Sequence, residues 1–440
     1  MGRYFGTDGV RGRYGDVLND ALAYRIGRFL GGDGFGAPKS ILLSRDTRES
    51  GLALSEALSQ GVVDAGGEVK DLGVSSTPSV SYLVRKGDAD FGVMISASHN
   101  PYRDNGIKVF NAEGEKISAD IESRIEDFIE LPELPLAKGS GRRVEANAEK
   151  DDYLSWLLSK AAPEVKGLRI LADLANGSAS ALAPRLFAAM GLEATFLAAS
   201  PDGRNINEGC GSTHIEALRE RFLEGDYDLG VCFDGDADRF MAIARGGRII
   251  DGDAQIFLNA MALAKRGKLR KNKVVITVMS NFGLRKALDN ENIRFDIVSV
   301  GDKYVQARLK EEGLSLGGEQ SGHVIYLDDL NTGDGLLSMI HLLNLYVLEP
   351  GIYAKLPELA VYPQILKNVR LDSREKIALA LEDEGVKKAI EEAEELLADE
   401  GRLLVRPSGT EPLIRVMAEA FDHEKCLGAV DSVLEAIGRI

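Results

Sequence analysis

Asp234-Gly235-Asp236-Ala237-Asp238-Arg239 follows directly on the apolar run Leu229-Gly230-Val231-Cys232-Phe233. The run reads as a buried strand, so the three carboxylates emerge at its C-terminal end. In extended chain, residues two apart point to one face, and Asp234, Asp236 and Asp238 are expected to converge. Such a cluster repels itself unless a cation fills it, and oxygen-only ligands suit a hard ion such as Mg²⁺. The segment is not an EF-hand. Arg239 stands where that loop needs its turn Gly, and Arg245 where it needs its bidentate Glu. A solvated acidic turn also satisfies the hexapeptide, so its surroundings must decide.

Working outward, two more strands run into polar loops. Phe91-Gly92-Val93-Met94-Ile95 leads into Ser96-Ala97-Ser98-His99-Asn100-Pro101, and a short strand near Leu314-Ser315-Leu316 leads into Gly317-Gly318-Glu319-Gln320-Ser321-Gly322-His323. Upstream of each lies an alternation of strand and helix. The first unit has a helix capped by Asn19 and ended by Gly31-Gly32, a strand at Ile41–Leu43 and a helix over 52–65. The second has strands at 168–172 and 194–197 with a helix over 181–190 between them. The third has strands at 274–278 and 295–298 and a helix near Leu284. Open α/β sheets place ligand sites at the C-terminal ends of their strands, so three such loops are expected to meet around one cleft. The repetition is architectural, with no residue-level repeat. Leu131-Pro132-Glu133-Leu134-Pro135 reads as a connector, and the α/β rhythm stops near 355–363. The tail reads as a small α+β domain: a charged surface helix over 386–398, then strands at 403–405 and 413–417 flanking Arg406-Pro407-Ser408-Gly409-Thr410-Glu411-Pro412.

Composition bounds what such a molecule does. The chain has 440 residues, 44% hydrophobic and 28% charged, enough for several packed domains. A net charge of −16 argues against a general nucleic-acid binder. An anionic substrate would therefore need a local cluster of Arg and Lys. Cys210, Cys232 and Cys426 lack CxxC spacing and read as free thiols of a reducing compartment. There is no apolar signal region at the start and no apolar stretch of membrane length, so a cytoplasmic location with no membrane partner is expected.

The loops carry chemistry of three kinds. Arg406 offers a planar fork of donors for phosphate, Ser408 and Thr410 offer hydroxyls, Gly409 allows close backbone approach, and Arg415 on the following strand adds charge. An ordinary turn is the plain alternative. Ser98 beside His99 suggests a hydrolase, but the GxSxG elbow is absent and adjacent residues rarely align as nucleophile and base. Ser98 at a strand end can instead accept a phosphoryl group, with Arg11, Lys108 and a metal as counter-charges. A helix N-cap is the structural alternative for Ser98. Glu319, Ser321 and His323 offer acceptors, a hydroxyl and a titrating imidazole suited to a sugar, or else form a turn with a structural histidine. His214, His341 and His423 fall in helical contexts.

Taken in order, these loops resemble those of the α-D-phosphohexomutase superfamily, and the likeness spans essentially the whole chain. It is carried by Tyr4-Phe5-Gly6-Thr7-Asp8-Gly9-Val10-Arg11-Gly12, by 95–101 with Asp104-Asn105-Gly106-Ile107-Lys108, by Asn207-Glu208-Gly209-Cys210-Gly211-Ser212-Thr213-His214, and by 318–323 and 406–417. Within the superfamily the likeness is strongest to the bacterial enzymes of glucosamine phosphates, to which Gln320 adds a little. The resemblance implies an α/β protein of three similar α/β domains with mixed sheets plus a smaller C-terminal α+β domain, arranged around a central cleft. These would be a phosphoserine-bearing domain over 1–150, a metal-binding domain over 151–254, a sugar-binding domain over 255–365 and a phosphate-binding domain over 366–440. It implies that Ser98 carries a phosphoryl group, and that Ser98, Asp234, Asp236 and Asp238 bind Mg²⁺ with Arg239 beside them. Glu319 and Ser321 would hold sugar hydroxyls. Arg406, Ser408, Gly409, Thr410 and Arg415 would hold the non-reacting phosphate. Lys108 and His323 would transfer protons, while Arg11 and His99 support the phosphoserine. Ala237 departs from the Gly of many relatives without disturbing the ligand spacing. The implied reaction interconverts glucosamine 6-phosphate and glucosamine 1-phosphate, with a hexosamine or hexose 1,6-bisphosphate as intermediate and activator. A small-molecule sugar phosphate would be the partner and a homodimer the assembly. Glucose or mannose phosphates are the alternative substrates, and a non-catalytic sugar-phosphate-binding protein the alternative class.

Overall fold

The computed structural model describes residues 2–6, 8–407 and 413–439. The chain forms two compact units, Met1–Met279 with Ile293–Leu356, and Ser280–Asn292 with Pro357–Ile440.

The first unit holds three mixed sheets built on one plan. In the first sheet, strand Ser40–Arg45 lies between the parallel strands Glu68–Val74 and Phe91–Ile95, and Asp104–Phe110 returns antiparallel to Phe91–Ile95. In the second, Arg169–Asp173 lies between Glu193–Leu197 and Leu229–Phe233, and Phe240–Ala244 returns. In the third, Lys273–Thr277 lies between Arg294–Val298 and Leu316–Gly318, and Val324–Tyr326 returns. Each site loop is thus the tip of a hairpin whose first strand is parallel and whose second is antiparallel. The strand–helix–strand–helix–strand order expected from the sequence holds in all three. Strand Glu68–Val74 and helix Thr77–Arg85 complete the first. The third strand of the last begins two residues later than expected, at Leu316.

The inner strands are apolar on both faces because helices cover both; every residue of Leu229–Phe233 is buried. In the first sheet, Ile41, Leu43 and Val93 pack with Leu22, Ile26, Leu54, Leu58 and Val62 of two adjacent helices. Each such side chain contributes about 1.5–3 kcal/mol on burial. The first helix breaks at Gly31-Gly32 as expected, since Gly32 takes a non-helical φ of 150°. Asp20–Arg28 continues as a wider π-helical turn over Phe29–Asp33. Gly31 also serves packing: a Cβ there would lie 2.6 Å from Val62 Cα of the neighbouring helix.

The second unit has a three-stranded antiparallel sheet with Leu413–Ala420 between Gln364–Arg370 and Gly401–Pro407. Ile414, Val416 and Ala418 face helices that contribute Val386, Ala393, Val430 and Val433. Helix Glu384–Leu397 buries only Val386, Ala393 and Leu397, so its charges stay outward as expected. Helix Phe282–Asn290 joins this unit because buried Glu419 accepts the Phe282 amide at 2.9 Å, with Arg402 Nε at 2.6 Å. Among the described residues no single helix is long and apolar enough to cross a membrane. The three cysteines are buried and unpaired.

Candidate active site

Three hairpin tips meet in the first unit. The Ser98 hydroxyl donates to Asp234 Oδ2 at 2.6 Å across 136 residues of chain. Lys108, on the returning strand of the first hairpin, reaches Asp236 Oδ2 at 2.8 Å and Asp238 Oδ2 at 3.4 Å. His323, ending the third tip, places Nδ1 3.6 Å from Asp238 Oδ1. Backbone bonds tie the second and third tips, with the Phe240 amide donating to Gly322 O at 3.1 Å.

The carboxylates of Asp234, Asp236 and Asp238 converge, with one oxygen of each within 4.8 Å of the others. They do so through a turn rather than the extended geometry the spacing suggested. Ala237 takes a left-handed φ of 57°, and its amide donates to Asp234 O at 3.1 Å. All three acids are buried. Burial, then Asp238 and Asp236, push the Asp234 carboxyl well above the usual range. Burial also opposes ionisation of Asp238, but Lys108 and His323 outweigh it and hold that carboxyl low. Thr77 donates its hydroxyl to Asp236 Oδ2 at 2.5 Å. Asp236 Oδ1 and Asp238 Oδ1 are buried with no hydrogen-bond partner among the described residues. Orphaned carboxylate oxygens in an all-oxygen cluster fit a hard divalent cation, and the triad suits Mg²⁺.

Cations surround this cluster. Burial opposes the charge on Lys108, but Asp236, Asp8 and Asp238 raise its pKa well above the ordinary lysine value. Asp8 also pairs with Arg11 and with Lys116, and Lys116 continues to Asp302 at 2.7 Å. Nε of Arg11 and Nε of Arg239 are buried without hydrogen-bond partners among the described residues. Two guanidinium donors lacking acceptors near Ser98 are what a phosphoryl dianion would use.

The two histidines differ. Burial, then Arg239 and Arg11, push His99 down to about 4, so it is neutral near pH 7. Its Nδ1 is 3.3 Å from Ser98 Oγ, but the serine proton already points at Asp234, which argues against a Ser–His hydrolase. For His323, burial opposes protonation and Asp238 outweighs it, raising the imidazole to about 9. The Gly333 amide donates to His323 Nε2 at 3.0 Å. That bond requires a free pair on Nε2, so His323 keeps its proton on Nδ1, facing Asp238, and full protonation requires the amide to let go.

Ser98 is not a helix N-cap, because the chain after it turns back into strand Asp104–Phe110. At the third tip, Glu319 Oε1 accepts the Gly301 amide at 2.9 Å, and Ser321 is half-buried beside it. Gln320 reaches Asp251 at 3.4 Å. His214 closes a short 3-10 turn, His341 lies within helix Gly335–Leu348, and His423 begins helix His423–Ile437.

In the second unit, Arg406 and Arg415 are direct cross-strand partners. Like charges so placed repel. Burial and then Arg415 lower the Arg406 pKa, and Arg415 Nε is buried with no partner among the described residues. An anion between them would relieve both strains. Ser408, Gly409 and Thr410 lie outside the described residues.

Sequence reading missed Thr77, Lys116 and Asp302, and gave Asp8 no role. The partners of Thr77, Lys116 and Asp302 lie far along the chain, and nothing local marks them; Asp8 lies three residues from its partner Arg11.

The fold and these loops define a phosphohexomutase architecture, and the chain belongs to the phosphoglucomutase/phosphomannomutase family. Residues 2–134 match its alpha/beta/alpha domain I, 151–247 domain II, 251–360 domain III and 366–436 the C-terminal domain. Among curated relatives, phosphoglucosamine mutase of Bacillus cereus is 45% identical, covering 99% of this chain and 98% of its own. A phosphoglucomutase/phosphomannomutase family protein of Burkholderia thailandensis, solved by crystallography, superposes with a TM-score of 0.82 at 26% identity over 99% of this chain and 97% of its own. The N-acetylphosphoglucosamine mutase of Aspergillus fumigatus, crystallised with GlcNAc-6P and magnesium, shares the fold with a TM-score of 0.72 at 16% identity, over 99% and 95%.

Proposed function

We propose that this chain interconverts glucosamine 6-phosphate and glucosamine 1-phosphate, with Ser98 as phosphoryl carrier. The observation that carries the chemistry is the Ser98 hydroxyl 2.6 Å from an aspartate of a buried, partly unsatisfied triad. The amino-sugar assignment rests on the 45% identity to a phosphoglucosamine mutase.

In this reading the free hydroxyl of the sugar monophosphate attacks phosphorus on Ser98. A new O–P bond forms, the Ser98 Oγ–P bond breaks, and the hydroxyl proton passes to the protein. The resulting 1,6-bisphosphate turns over and returns its other phosphoryl group to Ser98, so phosphate is neither gained nor lost. We assign proton transfer to Lys108, which is held charged and suited to donate, and to His323, whose affinity for a proton Asp238 raises. Arg11 and Arg239 face the phosphoryl charge, and neutral His99 lies against Ser98. Asp234, Asp236 and Asp238, with phosphorylated Ser98, would hold Mg²⁺, which when bound supplies electrostatic stabilisation of the phosphoryl oxygens. Glu319 and Ser321 take the sugar hydroxyls. Arg406 and Arg415, with Ser408, Gly409 and Thr410, take the non-reacting phosphate.

The domain division 1–150, 151–254, 255–365 and 366–440, a cytoplasmic location and a homodimer belong to the same proposal. The test is mass spectrometry of the purified chain, followed by mutase assays on glucosamine, glucose and mannose 6-phosphates with Mg²⁺ and a trace of hexose bisphosphate. A phosphoryl group on Ser98 with the highest kcat/KM for the amino sugar is expected. Preference for glucose or mannose phosphate would overturn the substrate, and net release of inorganic phosphate would overturn the reaction.

A further inference from the structure

Two buried donors beneath the Ser98 loop have no part in the chemistry above. Arg48 is 1% exposed although it is an arginine. Its backbone amide and Nε bond to Asp46 at 3.0 and 2.9 Å. Its two terminal nitrogens donate to four main-chain carbonyls: Ser98 O at 2.9 Å, Asn100 O at 2.8 Å, Asp104 O at 2.9 Å, and Pro101 O. From the loop that follows strand Glu193–Leu197, Asn207 Nδ2 donates to the same Ser98 O at 2.9 Å and Asn100 O at 3.1 Å. Asn207 opens the stretch 207–214, to which the reaction assigns nothing.

The other side of the Ser98 peptide is held too. Its amide donates to Ser96 Oγ at 2.9 Å, and the Ser96 hydroxyl donates to Asp46 Oδ2 at 2.6 Å, which returns to Arg48. Both main-chain polar groups of Ser98 are therefore engaged. Gly235 of the metal loop packs against the same carbonyl; a Cβ there would lie 2.5 Å from Ser98 O. Within this cage Ser98 takes φ 51°, a conformation that L-residues avoid unless their surroundings impose it. That backbone aims Oγ at Asp234.

The geometry points to Arg48 and Asn207 as positioning residues that impose the left-handed backbone of Ser98, and so set the rate of phosphoryl transfer to and from its Oγ without binding the sugar phosphate. The inference rests on the phosphoserine reading. It differs from a packing role in what it predicts: a defect in Ser98 phosphorylation in a chain that still folds and still binds its substrate.

The test uses the full chain with Mg²⁺ and follows Ser98 phosphorylation by glucose 1,6-bisphosphate in single turnover, by intact mass. Asn207→Ala is the main variant, and Arg48→Lys keeps the charge but loses the planar fork. For Asn207→Ala we expect at least a tenfold slower phosphorylation and a matching fall in kcat. KM for the sugar phosphate should stay within twofold and melting should remain cooperative. Arg48→Lys should show the same split, since one ammonium cannot serve four carbonyls. If Arg48→Lys does not fold, Asn207→Ala decides alone. A wild-type phosphorylation rate in Asn207→Ala would overturn the inference, as would a loss expressed wholly in KM. Failure of the unsubstituted chain to take a phosphoryl group on Ser98 would instead overturn the phosphoserine reading itself.

Discussion

Ser98 sits in a backbone conformation costing roughly 1–2 kcal/mol for an L-residue, with its hydroxyl against Asp234. Ser98→Ala keeps the backbone and removes the oxygen, so we expect mutase activity to fall by more than a thousandfold while the melting temperature hardly moves. Coupled assay and calorimetry on one preparation check both. Ala237 shares the left-handed region, yet it is fully buried. Ala237→Gly relieves that strain but frees the unfolded chain, so stability should change by less than about 1 kcal/mol in urea titrations. Asp334 titrates where it matters. Burial raises its carboxyl to about 6, while it caps helix Gly335–Leu348 and accepts from Tyr153 at 2.7 Å. An acid whose folded pKa lies above its unfolded value costs stability as it ionises. Stability should therefore decline between pH 4 and 6 by on the order of 3 kcal/mol from this group. Asp334→Asn keeps the cap and should flatten that decline when the two chains are melted side by side. The carboxylates and serine that meet at the hairpin tips were legible in the sequence because such residues at strand ends announce their chemistry. Arg48, Thr77 and Lys116 were not, because each acts only through partners brought close by folding.

Strands and helices were legible wherever burial is two-sided or one face is clearly apolar. The strand Leu229–Phe233 and the helix Ala179–Met190 are of this kind. Among the returning strands, Asp104–Phe110 was not read because it carries Asn105 and Lys108 inward, against the apolar rule that finds strands. Of those inward polar residues, Lys108 is the one that reaches the carboxylate cluster. The glycine pair Gly31-Gly32 was legible as a helix end, and Gly32 makes that break, but the space against Val62 that demands Gly31 was not legible. Gly31→Ala should cost about 1–3 kcal/mol by overpacking, read as a shift in denaturation midpoint, with activity per folded molecule unchanged.

Across the whole molecule, one unit bears three hairpin tips and the other bears paired arginines. Arg415→Ala removes half of that pair and should raise KM for the sugar phosphate by about ten- to a hundredfold with a smaller effect on kcat, as expected for losing one charge-assisted contact. Steady-state kinetics separates the two parameters. The pairing of the hairpins bears on something other than catalysis. Each tip closes locally, as where Ile95 faces Ile107 or Gly318 faces Val324, and such hairpins form within about 1–10 μs. The Ser98–Asp234 contact spans 136 residues and two sheets, so it waits on slow non-local docking. The Ser98 hydroxyl consequently meets Asp234 only once the two sheets have docked. A nascent or half-folded chain carries the serine without its aspartate, so whatever needs the pair waits on the docking of the two sheets.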